Sequence, residues 1–545
     1  MSAQPAPSPS QNAKAANDQV RRSAKDVVLQ NAANELVFAV VGHVGSGTST
    51  IAEALKALLE GSKIPGGRYE TVILKARDEI AQWAKDKTYS VPAGGRDDVR
   101  VVEQYQDLGD RMRLESRDNS AVARALVMRI RNVRAQKTGT TPVDAEPVRP
   151  DGKRRAYIID SIRHPAEVQL LRHVYQDAFC LVGVVCEEGV RLDRLTRKYS
   201  NAGRANAEAF MKRDAKANVK HGQRVSDAFH LSDFFVDNTV MRILPDKEEN
   251  PDWDVNDHLF RLVRIVSHLD VVRPSIDETA MHHAYSASMR SACLSRQVGA
   301  ALVDSQGSVV ATGTNEVPKA GGGVYGEQFD LGVDDHDGDH RCVYRKLGGE
   351  NPFCSSTVEQ NKLVNRLISE IPELGTLPPE RQAALLEEIR ASGVGDLLEF
   401  SRAVHAEMDA LISAGRDGMS TVGTRLFVTT FPCHYCARHI VTAGVDEVQF
   451  IEPYPKSRAT DLHSDSIQTQ SVGWKPPSEG GAHVLFRPFV GVAPRMYRRA
   501  FLKDRELKDG TTGKFEIGQP DWGSAWHLRA TGYADLEASL AREDR

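Results

Sequence analysis

Nowhere in these 545 residues is there an apolar run of about eighteen or more, so the sequence offers no helical membrane span. The first residues, MSAQPAPSPSQNAKAANDQ, lack the apolar core of a secretory signal, and their Ala/Pro/Ser/Gln bias reads as a disordered tail over 1–34. Cysteine is sparse: seven residues, an odd number scattered along a long chain, do not make a disulfide framework, and a reducing cytoplasm is the expected setting. Strong net charge is missing as well. A formal charge of -4 argues against a protein built to coat nucleic acid. Only 6% of residues are aromatic and no basic run flanks the histidine and cysteine motifs, so an aromatic-lined groove for single strands has little to be built from.

What is present is a soluble globular composition, 41% hydrophobic and 26% charged, in a chain too long for one ordinary domain. An apolar strand, ELVFAVVG from Glu35, runs into a glycine-rich loop and then a helical pattern, TSTIAEALKALLEG. Strand patterns RAYIID and AFCLVGVVC alternate with helical ones, which predicts a parallel α/β sheet over 35–244. A polar, proline-broken stretch opens a linker at 245–272. The second domain, 273–545, begins with the helical pattern DETAMHHAYSASMRSACLS, then two strands, VGAALVD and SVVATGT. A long polar interval, 316–395, reads as an insertion, and after it come helix LLEFSRAVHAEMDALISAG, strand TRLFVTT, helix HYCARHIVTAG and strand DEVQFIE.

His405, Cys433 and Cys436 have the donor types of a catalytic zinc site, which uses three protein ligands and keeps one position open. The cysteines stand three apart where a strand gives way to a helix, and the helix N-terminus favours thiolates. Glu407, two residues beyond the histidine, is near enough to move protons and free to stay outside the ligand set. The competing reading is a closed structural site with His434 or His439 as fourth ligand. In the insertion, His336, His340, Cys342 and Cys354 form a candidate second, structural zinc set, and solvated polar loop residues are the alternative.

The H-x-E and P-C-x-x-C pair matches the signature of zinc nucleobase deaminases. With SACLSRQVGAALVDSQGSVVATGTNEVP, HAEMDAL and PCHYCARHIVTAGVDEVQF, the second domain resembles the deoxycytidylate deaminases. The resemblance implies an α/β/α cytidine-deaminase-like fold, a catalytic Zn2+ and a cytosine nucleotide substrate. It places Asn315 against the nucleotide sugar, although Glu316 stands where the family usually has glycine. Arg296 and Lys456 are candidates for phosphate and Tyr454 for stacking on the base, with a salt bridge the alternative for Arg296.

The loop GHVGSGTS, Gly42 to Ser49, keeps the glycines of a phosphate-binding loop and the serine that meets Mg2+, but Thr48 replaces its lysine. Gly42, Gly45, Ser46, Gly47, Thr48 and Ser49 are therefore candidate nucleotide contacts, with Asp160 as a candidate ligand of a metal-bound water; phosphoryl transfer would lack a cation. The segments YQDLGDRMR, YIIDSIRHPAEVQLLR, RLDRLTRKYS and SDFFVDN resemble nucleoside-monophosphate or dephospho-coenzyme-A kinases, with Arg163 toward phosphate and Arg191, Arg194 and Arg197 as a basic lid or a solvated face.

A degenerate P-loop kinase-like domain followed by a deoxycytidylate-deaminase-like domain resembles the bacterial anti-phage dCTP deaminases. That resemblance implies conversion of dCTP and dCMP to uracil forms, a homo-oligomer (dimer or hexamer), and in some members restraint by a small regulatory RNA. Two other readings stand beside it: an RNA or single-stranded DNA deaminase, and a nucleotide sensor whose deaminase domain only binds.

Overall fold

The structure is a computed structural model that describes residues 33–326, 354–391 and 400–517, apart from 62–63, 65–67, 96, 144–145, 200–202, 218, 245–247, 294, 455–456, 504–506 and 516, and also Ala534 and Glu537. The fold is mixed α/β, built on two six-stranded, largely parallel sheets.

The first sheet grows around β1 (Glu35–Val41), whose seven residues are all buried. A strand covered on both faces is apolar where it meets the core; past Glu35, whose buried carboxylate accepts from Arg134, β1 divides its side chains accordingly. Leu36, Phe38 and Val40 pack with Ile51 and Leu55 of α1 (Thr48–Glu60), while Val37, Ala39 and Val41 join Val127 and Ile130 on the other side. The remaining strands are β2 (Glu70–Lys75), β3 (Arg155–Ile162), β4 (Phe179–Val185) and β5 (Phe234–Asp237). They are parallel in the order β2-β3-β1-β4-β5. Between them run α2 (Val99–Ser116), α3 (Glu188–Lys198) and α4 (Gly203–Ala215). The stretch 245–272 carries α5 (Val255–Val266), which buries Leu259, Leu262 and Val263 in the same core as α1.

The second sheet follows α6 (Ile276–Ser288), which starts in a capping box: Ser275 Oγ accepts from Glu278 N and the Glu278 carboxylate from Ser275 N. Its strands are β6 (Gly299–Val303), β7 (Val309–Thr314), then β8 (Arg425–Thr430) after α7 (Ala406–Arg416), β9 (Glu447–Glu452) after α8 (His434–Thr442), β10 (Ile467–Gln468) and β11 (Val484–Pro488). The order is β10-β11-β9-β8-β6-β7, with β6 antiparallel to β7 and β8 and the rest parallel. Two glycines let helices sit directly on this sheet. A Cβ at Gly299 would lie 2.0 Å from Ala284 O of α6, and one at Gly313 2.0 Å from Ala406 O of α7.

The chain then returns. Strand β12 (Gly491–Val492) pairs antiparallel with β5 of the first sheet, and α9 (Pro494–Phe501) follows it. Val492 N donates to Glu278 at 2.8 Å, and Arg261 of α5 holds the same buried carboxylate. One ionic cluster therefore ties β12, α5 and α6 together. Among the described residues no helix is long and apolar enough to cross a membrane.

Candidate active site

Three chain segments converge at the ends of β7, β8 and β9. His405 is the N-cap of α7 in extended backbone, so its ring lies at the helix mouth and Glu407 falls in the first turn. Cys433 is the N-cap of α8, where its sulfur accepts from Cys436 N at 3.4 Å. His405 Nδ1 lies 3.3 Å from Cys433 Sγ and 3.4 Å from Cys436 Sγ. One nitrogen and two sulfurs within 4.8 Å of one another are a donor set that fits zinc, and no other such cluster occurs among the described residues. Both sulfurs belong to the apolar core between the sheet and its outer helices, with Cys433 4% and Cys436 1% exposed.

The proton distribution follows from this crowding. Hydrogen bonds from Cys436 and then His405 hold the Cys433 thiol down at about 4. The partner thiol of Cys436, which donates to Cys433 and is buried, is pushed well up. His405 is raised to about 9, first by its bond to Cys433. Glu407, 4% exposed, is raised to about 7, first by burial. Protons thus sit where a cation would otherwise bind, the usual condition of a metal site whose ligands must deprotonate.

Asn315, Arg296 and Tyr454 form one contact network. Asn315 accepts from Val298 N and donates to Arg296 O, both at 2.7 Å, so its amide fastens the 296–298 turn. The Arg296 guanidinium meets Glu452 at 3.1 Å and lies 5.5 Å from the Tyr454 ring centre. Ser457 Oγ donates to Pro432 O, which ties the loop after β9 to the cysteine turn. His336, His340, Cys342 and Lys456 lie outside the described residues; Cys354 is exposed at the start of the helix Ser355–Glu370.

Three acidic residues shape the site: Glu316, which the sequence reading noted only as a departure from the family's glycine, and Asp409 and Glu452, which it did not single out. Buried Glu316 accepts from Ala292 N at 2.7 Å and from its own neighbour Val317 N, and its backbone bridges Val404, just before His405. Asp409 accepts from Thr314 N at 3.0 Å, pinning α7 to β7. Glu452 is the partner of Arg296. Only the placement of two carboxylates beside the motifs, Glu316 after Asn315 and Asp409 after Glu407, hinted at the first two.

The family model described as the cytidine and deoxycytidylate deaminase zinc-binding region matches residues 274–452, the span that holds His405, Cys433, Cys436 and Glu407. That stretch, which carries β6 to β9 and α6 to α8, is cytidine- and deoxycytidylate-deaminase-like. A deoxycytidylate deaminase of Enterobacteria phage T4 is 27% identical over 187 residues, 33% of this chain and 79% of that protein. The ComE operon protein 2 of Bacillus subtilis (strain 168) is 37% identical over 54 residues, 10% of this chain and 29% of that protein. The crystal structure of a dCMP deaminase from the cyanophage S-TIM5 aligns at 19% identity and a TM-score of 0.20, over 40% of this chain and 100% of that one.

The glycine loop is a second place where groups converge. Gly45 and Gly47 are left-handed (φ +84° and +89°), as a loop curled round an anion requires. Ser49 Oγ donates to Asp160 at 2.7 Å, which ties the start of α1 to β3. Ser46 O accepts from Asn238, Val44 N donates to Asp214, and Arg163 bonds both Gly42 O and Asp214. Thr48 opens α1 and lines the adjacent cavity. Of Arg191, Arg194 and Arg197, Arg194 reaches Gly45 O and Asn238 O, the Arg191 backbone abuts Gly45, and Arg197 is exposed. His43 is held down at about 3, by burial first and then by Arg191 and Arg163.

Proposed function

We propose that this chain is a zinc-dependent hydrolase that deaminates free deoxycytidine nucleotides, dCMP or dCTP, to the uracil forms with release of ammonia. The observation that carries the reading is the convergence of His405, Cys433 and Cys436 beside a buried Glu407, inside the span matched by the deaminase model.

Zinc held by the three ligands would supply the Lewis acidity that makes water a nucleophile near neutral pH. The chain's own contribution is positional. Glu407 is fixed in the first turn of α7, so its carboxylate can take a proton from the attacking water and pass protons to cytosine N3 and the departing amine. Burial of the cysteines keeps bulk water from competing at the ligands. The network of Asn315, Arg296 and Tyr454 gives a cation and a ring suited to a nucleotide's phosphate and base.

Resemblance of the two-part chain to the anti-phage dCTP deaminases extends the proposal. The activity would deplete a deoxycytidine nucleotide pool during phage defence, in a homo-oligomer; restraint by a small RNA is a property of some members of that family. The glycine-loop unit, lacking its lysine, would be a nucleotide-responsive regulatory module rather than a kinase. The test is ammonia release from dCMP, dCTP and a cytosine oligonucleotide. Turnover of a free nucleotide with an inert oligonucleotide is expected; deamination of the oligonucleotide alone, or of nothing, overturns the proposal.

A further inference from the structure

The end of β9 carries a charge that the deamination chemistry does not use. Glu452 is the last residue of that strand and stands beside Thr430 at the end of β8. Phe431 N donates to its backbone oxygen at 2.8 Å, and Thr430 Oγ1 donates to its Oε2 at 3.2 Å. The carboxylate is thus fixed by the strand that leads into the cysteine turn. Its Oε1 meets Arg296 Nη2 at 3.1 Å.

Arg296 is therefore held at both ends. Asn315 accepts from Val298 N and donates to Arg296 O, each at 2.7 Å, which fastens the backbone. Glu452 and the Tyr454 ring, whose centre lies 5.5 Å from the guanidinium carbon, fix the head. The Arg296 side chain is nevertheless 40% exposed, and that of Glu452 27%. A guanidinium has five N–H donors, so Arg296 can meet a second anion without leaving Glu452.

A cation set out for polyphosphate would gain from standing uncompensated. Here a carboxylate neutralises it. The first phosphate group to touch the guanidinium still gains close, charge-assisted hydrogen bonds. Any further phosphate adds negative charge that the neutralised pair does not attract at a distance and that Glu452 repels.

We propose that Glu452 is a specificity-determining residue: its charge, set against Arg296, biases the deaminase centre toward the nucleotide with fewer phosphates, dCMP over dCTP. The proposal rests on the deaminase reading and on Arg296 meeting the substrate's phosphate. It gives Glu452 a role separate from the metal ligands and from Glu407, because it acts at the phosphate end of the substrate and not at the reacting carbon.

The experiment measures kcat/KM for dCMP and dCTP with the full-length wild type, Glu452→Gln and Glu452→Asp. It is run without magnesium, so that dCTP keeps its full charge, at low salt and at about 1 M salt, where the Debye length is ~3 Å. Glutamine keeps an oxygen for Arg296 and removes the charge; aspartate keeps the charge and loses reach. A part-exposed ion pair adds little to stability, so both variants should fold and keep the wild-type zinc content. In Glu452→Gln the ratio of kcat/KM for dCTP to that for dCMP is expected to rise about tenfold at low salt, chiefly through KM. At high salt it should return to within about twofold of the wild-type ratio. In Glu452→Asp both kcat/KM values should fall while their ratio stays within about twofold of the wild type, since the charge remains. An unchanged ratio in Glu452→Gln, a shift that persists at high salt, or the same shift in Glu452→Asp overturns the proposal. Failure of the zinc-replete wild type to turn over either nucleotide overturns the deaminase reading itself, and this inference with it.

Discussion

The cysteine turn and the glycine loop are built on the same plan and end in opposite chemistry. Each lies where a parallel strand hands over to a helix: β8 to α8 at Cys433, β1 to α1 at Gly47. Each exposes the partial positive charge of a helix N-terminus. At the cysteine turn, apolar packing brings His405 Nδ1 to within 3.4 Å of both sulfurs, a donor set that fits a single ion. At the glycine loop, side chains are withdrawn, the backbone turns left-handed, and a cavity lined by arginines remains. The handover supplies a field; the residues set into it decide between a metal and an anion.

Removing a donor should break the first site outright. Cys433→Ala or His405→Ala is expected to abolish zinc at this site, since two ligands hold it poorly, and all deamination with it. Elemental analysis checks this, and full zinc occupancy in either variant contradicts the ligand set. A subtler substitution tests how far the site depends on close packing. In Gly313→Ala the new methyl would meet Ala406 O at 2.0 Å and Ala410 N at 2.4 Å, so α7 must retreat with His405 and Glu407. Activity should fall about 100-fold, the scale of an ångström's misplacement, and stability by roughly 1–3 kcal/mol. Steady-state rates and denaturant titration measure the two losses.

The glycine loop should fail in a different way. Gly47→Asp places a Cβ 2.3 Å from Asn238 Nδ2 at a φ of +89°, so the loop must distort at a cost of roughly 1–3 kcal/mol. Pyrophosphate binding should disappear while zinc content stays at the wild-type value. The last effect expected, confined to acid pH, is from His43. Its folded value of about 3 lies below the usual 6.5, so the unfolded chain takes up its proton first as pH falls. Stability from this group is therefore whole above about 6.5 and is lost progressively toward pH 3. His43→Gln should flatten the fall in thermal midpoint over that window, and an unchanged slope would contradict it.

The convergence of His405, Cys433 and Cys436, with Glu407 beside them, was legible in the sequence because metal chemistry admits few donor types and the helix–strand–helix context fixes where they meet. The start of α7 was not legible. The pattern LLEFSRAVHAEM reads as helix through His405, but the Val404 backbone bridges Glu316, so the helix begins at Ala406 and His405 becomes its N-cap. For the same kind of reason α6 stops at Ser288 instead of running to 295. Ser291 Oγ bonds Asn315 O and Ala292 N bonds Glu316, so long-range partners outbid local helix hydrogen bonds. The return of β12 to the first sheet was equally hidden, because a two-residue strand carries no periodicity and its partner Phe235 lies more than two hundred residues away.

The central claim is that Glu407 moves the protons of a deamination whose metal it does not hold. Glu407→Gln, purified beside the wild type, should keep the wild-type zinc content and release ammonia from dCMP or dCTP about 100- to 10,000-fold more slowly, because an amide cannot exchange the proton. Near-wild-type ammonia release by a zinc-replete Glu407→Gln protein would contradict the account.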